Sequence, residues 1–189
     1  MMPCRLALLI LFLVYSNAFT VQCAGKLSSM RRFAASLEAV APTVPSQVQV
    51  LKDANEVGAA VREIVKEAAE AAITERGHFA LAIPGGSILK MLVGDNLLKG
   101  DWTYKCTLAY VNHKCVAMDD ESLATHAKAM KLFLSKWNGC KVILLEGTEN
   151  GSEEATSYEK KLRNLSEEVL PRNENGIPVF DLALIGVGD

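Results

Sequence analysis

Apolar and polar positions along this chain follow two periods. Val57, Val61, Ile64, Val65 and Ala68 recur three or four residues apart, with Glu63, Lys66, Glu67 and Glu70 between them. That spacing predicts a helix over residues 55–74 with one buried face, stopped by Gly77. Phe79–Ile83 is a short unbroken apolar run and reads as a strand. A helix over 88–98 follows. A second strand is predicted at 107–111, within the segment 103–116. Asp119, Asp120, Glu121 and Ser122 suit a helix's first turn, so the next helix is expected from 119 to about 137, burying Leu123, Ala127, Met130 and Leu134. A third strand covers 141–145. A fourth helix runs from 152 to about 170, where Pro171 stops it. After a polar loop, residues 180–186 form a last strand, whose continuous apolar run predicts burial on both faces.

Strands alternating with helices imply an α/β fold with a parallel sheet. Ligands of such sheets bind beyond the carboxyl ends of the strands. Residues 85–87, 112–114 and 186–189 all follow strands, so they are expected to share one mouth. The first of these loops, Pro84-Gly85-Gly86-Ser87, carries the clearest chemistry. Glycines let backbone approach a ligand closely, and the unpaired amides of a following helix start suit an anion. A phosphorylated small molecule is the expected guest, with a tight strand-to-helix connection as the plain alternative. A Walker-type loop is excluded because Lys is missing after Gly86. A dinucleotide fingerprint at Gly186-Val187-Gly188 lacks its third Gly.

Composition narrows this picture. Half the residues are apolar and the net charge is −2 with no basic block, which fits a globular domain and excludes a nucleic-acid binder. His78, His113 and His126 lack metal-ligand spacing, and the cysteines lack a Cys-x-x-Cys pair. Cys106, Cys115 and Cys140 read as small apolar residues. Glu153, Glu154, Glu167 and Glu168 read as solvated helix faces.

The N-terminus has a different character. Arg5 precedes an apolar run over 6–15 and the small residues Ser16-Asn17-Ala18, the pattern of a secretory signal. The run is too short for a stable membrane span. Phe19 then opens a basic, Ser-containing stretch whose first acid is Glu38. The expected organisation is a signal peptide at 1–18, a transit-like leader or linker at 19–47, and one domain at 48–189. Signal plus leader resembles the bipartite presequence of complex plastids; the alternative is the secretory pathway or ER lumen.

Residues 82–90, Ala-Ile-Pro-Gly-Gly-Ser-Ile-Leu-Lys, resemble the phosphate turn of the 6-phosphogluconolactonase family, which is related to glucosamine-6-phosphate isomerases. Cys115-Val116, Asp120-Glu121-Ser122 and residues 180–189 continue the likeness. It implies a parallel-sheet sandwich, truncated here after a central strand. It also implies hydrolysis of 6-phospho-D-glucono-1,5-lactone to 6-phosphogluconate by a monomer without metal or organic cofactor. The partner is then a small phosphorylated sugar lactone, and neither nucleic acid nor membrane. Under that resemblance Gly85, Gly86 and Ser87 bind phosphate with help from Lys114, Gly186 and Gly188 close the sugar site, and Asp189 directly precedes the family's Gly-His pair. The catalytic residue is unassigned, since that His would follow Asp189. The family's Asp-Glu-Arg segment reads Asn112-His113-Lys114, and its Ser-Asn pair reads Ser122-Leu123. These departures keep open a second reading, a catalytically silent sugar-phosphate-binding homologue or fragment.

Overall fold

The computed structural model describes residues 49–94 and 101–186. The signal segment 1–18, the leader 19–47, Gly188 and Asp189 lie outside the described residues, as do residues 95–98 of the second predicted helix. In chain order the described elements are α1 (Ala54–Arg76), β1 (Phe79–Ile83), α2 (Ile88–Met91), β2 (Cys106–Tyr110), α3 (Thr125–Leu132), β3 (Lys141–Val142), α4 (Gly151–Arg163) and β4 (Leu182–Ala183). The strands form one parallel sheet in the order β3-β2-β1-β4. Phe79 pairs with Cys106, and Leu81 with Leu182. The α/β class and the strand–helix alternation are as expected.

Local chemistry sets the ends of α1. Asp53 accepts hydrogen bonds from the Asn55 and Glu56 amides, and Gly77 closes the helix at φ 82°, a left-handed cap suited to glycine. Val61, Val65, Ala69 and Ala72 are buried along one face. They belong to one core with Phe79, Leu81, Ile83 and Leu108. Both central strands are buried at every residue. Trp102 packs edge-on to Phe79 and Trp137.

Several elements depart from expectation. The helix predicted from 119 begins only at Thr125. Asp120 Oδ1 accepts from Ser122 N, Ser122 Oγ and Leu123 N, which holds a turn where the helix was expected. The buried face changes with it: Ala124, Thr125, Ala129 and Phe133 are buried, whereas Leu123 and Met130 are exposed. α4 stops at Arg163, where Arg172 donates to the carbonyls of Arg163 and Leu165. β3 is short: Ile143 N still donates to Leu108 O at 2.8 Å, and beyond it Lys161 Nζ takes the Leu144 carbonyl at 2.7 Å. β4 pairs only with β1 among the described residues. Leu182 and Leu184 are buried while Ile185 is exposed, so burial on both faces does not hold there.

Candidate functional site

The carboxyl ends of β1, β2 and β4 bring residues 85–87, residues 112–114 and Gly186 to one side of the sheet; residues 187–189 lie outside the described residues. After β1, Gly86 takes φ 80°, a conformation that a side chain would strain. The Gly85 amide donates to Asn112 Oδ1 at 3.0 Å, tying the glycine turn to the loop after β2. The Val111 amide donates to the Ile83 carbonyl at 2.8 Å. Gly186, after β4, lies against α2: a Cβ there would stand 3.4 Å from Ile88 Cδ1.

Gly86 and Ser87 are exposed, and their amides donate to no partner among the described residues. Ser87 is already helical at φ −64° and ψ −27°, and its side chain caps nothing. α2 is a single turn. Arg62 reaches across from α1 to the carbonyls of Met91 and Val93, at 3.0 and 3.1 Å, and closes its far end. One turn carries little macrodipole, so attraction for an anion at this bend is local, from individual N–H and O–H groups. Lys114 is exposed, and no contact joins its side chain to the glycine turn among the described residues.

Sequence reading missed Thr125. This first residue of α3 is buried at 8% exposure. Its Oγ1 lies 3.1 Å from where a Cβ on Gly85 would stand. Glycine at 85 therefore serves close approach to α3. The only prior signal was a polar residue at a helix start, and misplacing that start hid it.

A hydrogen-bonded group of rings sits beside Thr125. Tyr110 Oη and His126 Nδ1 are 2.8 Å apart. The His113 ring bonds the Lys114 carbonyl through Nδ1 and lies 3.4 Å from the His126 amide through Nε2. A carbonyl only accepts, so the proton sits on His113 Nδ1 and Nε2 faces the amide as acceptor. Burial, then the neighbouring His113, lowers the His126 pKa. Burial raises that of Tyr110, and pushes Tyr158 up to about 12. The Tyr158 hydroxyl accepts from the Tyr110 amide at 2.7 Å.

Glu154 is not solvated as expected: it is 2% exposed. Its carboxylate accepts from the Thr148 amide, and from Glu146 at 2.9 Å. The Thr148 amide bond is the leading cause of its lowered pKa. It lines a cavity of about 160 Å³ with Tyr110, His113, Cys115 and Tyr158. A larger cavity of about 680 Å³ lies between the 118–121 turn, α3 and Leu144, with His126 in its wall. Neither cavity includes the glycine turn. No group of three or more His, Cys, Asp or Glu is placed to hold a metal among the described residues, and no helix there is long and apolar enough to cross a membrane.

Comparison with known proteins adds to this geometry. The family model for glucosamine-6-phosphate isomerases/6-phosphogluconolactonase matches residues 52–189. A probable 6-phosphogluconolactonase from Schizosaccharomyces pombe is 31% identical over 75% of this chain and 57% of its own length. A 6-phosphogluconolactonase from Rattus norvegicus is 27% identical over 79% and 58%. The chain thus spans somewhat more than half the length of these curated relatives. Two crystal structures share the fold. The 6-phosphogluconolactonase from Shewanella baltica has a TM-score of 0.54 and 16% identity, over 61% of this chain and 50% of that one. A devB protein has a TM-score of 0.59 and 23% identity, over 74% and 57%.

Proposed function

This chain belongs to the glucosamine-6-phosphate isomerase/6-phosphogluconolactonase family, and from that premise we propose that it serves the hydrolysis of 6-phospho-D-glucono-1,5-lactone to 6-phosphogluconate, within the oxidative pentose phosphate pathway. The observation that carries this reading is the open glycine turn. The Gly86 and Ser87 amides find no partner there among the described residues, at the mouth shared by β1, β2 and β4. A phosphoryl group held by those amides and Ser87 Oγ orients the sugar ring. Lys114, on the loop after β2, adds a positive charge on that side of the sheet, and Gly186 stands against α2 beside the turn. Water adds to the lactone carbonyl carbon, negative charge gathers on its oxygen, and the ring C–O bond breaks. A carboxylate and a hydroxyl result. In the family's motif the His of a Gly-His pair takes the water's proton and the departing ring oxygen is protonated; Asp189 matches the residue directly before that pair. Asn112 is an amide and not a base; its oxygen positions the turn through Gly85.

Calorimetry tests the reading. The chain is expected to bind 6-phosphogluconate but not gluconate, and Ser87→Phe abolishes binding. Lys114→Ala weakens binding by about 1 kcal/mol at low salt and less at physiological salt, because an exposed charge is screened. Equal affinity for gluconate, or no binding, overturns the reading. Binding with lactone hydrolysis no faster than the spontaneous rate makes this a silent sugar-phosphate receptor. The leader at 1–47 supports delivery to a plastid; a fluorescent fusion retained in the ER overturns that.

A further inference from the structure

We propose that Thr125 and the start of α3 form the second wall of the phosphoryl site, with the Thr125 hydroxyl donating directly to the phosphate. This rests on the reading above, that the glycine turn receives a phosphoryl group, and adds a ligand that neither motif nor family match assigns. Three observations carry it. The Thr125 side chain is more than nine-tenths buried, yet its hydroxyl has no hydrogen-bond partner among the described residues. The oxygen itself is not sealed from solvent, so the one polar atom of a mostly buried side chain is left open to a ligand. The hydroxyl is directed at the glycine turn, at the position a Gly85 Cβ would fill. α3 also begins there with Ala124, whose side chain cannot cap it: His113 Nε2 takes the His126 amide at 3.4 Å, while Thr125 N finds no acceptor among the described residues. An eight-residue helix thus presents its positive end beside the exposed Gly86 and Ser87 amides. An anion between the two walls satisfies donors on both.

The test compares Thr125→Val, which keeps the shape and removes the hydroxyl, with Thr125→Ser, which keeps the hydroxyl. Calorimetry is run with inorganic phosphate, 6-phosphogluconate and gluconate, and the thermal midpoint is measured without ligand. Thr125→Val is expected to weaken phosphate and 6-phosphogluconate alike by about tenfold, while Thr125→Ser stays within about twofold. Without ligand, Thr125→Val is expected to melt no lower than the parent, since the hydroxyl it removes has no protein partner among the described residues. Unchanged phosphate affinity in Thr125→Val overturns the proposal and leaves the proposed function standing. A loss confined to 6-phosphogluconate moves the hydroxyl to the sugar and also overturns it. A lower melting point of Thr125→Val with both affinities intact identifies a structural hydroxyl and overturns it. A parent chain that binds neither phosphate nor 6-phosphogluconate overturns both readings.

Discussion

Gly85 and Gly86 are neighbours with different reasons to be glycine. Gly86 needs its left-handed backbone at φ 80°, and a Cβ there meets nothing within 4 Å. Gly85 has no unusual φ, but a Cβ would press on the Thr125 hydroxyl. Their substitutions should separate. Gly86→Ala is expected to cost about 1–2 kcal/mol of stability through backbone strain, read by urea unfolding. Gly85→Ala should cost less stability but weaken phosphate binding, because it displaces Thr125. Equal stability losses in the two variants would contradict this division. The glycines were legible in the sequence, but the reason for Gly85 was not, because its neighbour lies 40 positions away.

Among the elements, one charged pair reinforces the join between α1, β1 and β4, beside the sheet pairing of β1 with β4. Arg76 Nη2 donates to Asp181 Oδ2 at 2.7 Å and to the His78 carbonyl at 3.1 Å, and its Nε donates to Glu168 O. The same Asp181 oxygen accepts from the Ala80 amide at 2.7 Å. The two side chains are 20% and 17% exposed, so the pair is largely shielded but still partly screened. Asp181→Asn leaves the guanidinium without its counter-charge and is expected to cost about 2 kcal/mol, below the range for a fully buried pair. Chemical denaturation checks the magnitude. A change under about 0.5 kcal/mol would show that sheet pairing alone holds β4. Helix and strand order was legible here because periodicity is local. Ends were less so: the Asp120 turn and the Arg172 cap each override a run of acceptable helix residues.

For the whole molecule, burial and hydrogen bonding make stability depend on pH in two windows. Burial lowers the pKa values of His78 and His126 from the usual 6.5. The unfolded chain therefore binds protons first, and stability present above about pH 6.5 declines as pH falls through the lowered values. Glu154 is held below its ordinary 4.5, chiefly by the Thr148 amide. Its contribution is intact above 4.5 and is lost as pH falls through the folded value. Melting temperature is expected to decrease from pH 7.5 to 5.5 and again below pH 4.5. Glu154→Gln should melt lower at neutral pH and show a flatter acid limb; an unchanged limb would show that Glu154 does not couple to folding. By itself the sequence determined the α/β class, the parallel sheet, the glycine turn and the meeting of loops at one edge. Those features follow from spacing within each segment and from the rule that parallel strands share a carboxyl end. Only the tertiary structure decided that Thr125 faces Gly85, that Asn112 holds the turn, that Glu154 is buried, and that Arg76 meets Asp181 across 105 positions. Each of these depends on how one element rotates and where it stops against another, and no local pattern of apolar and polar residues encodes that.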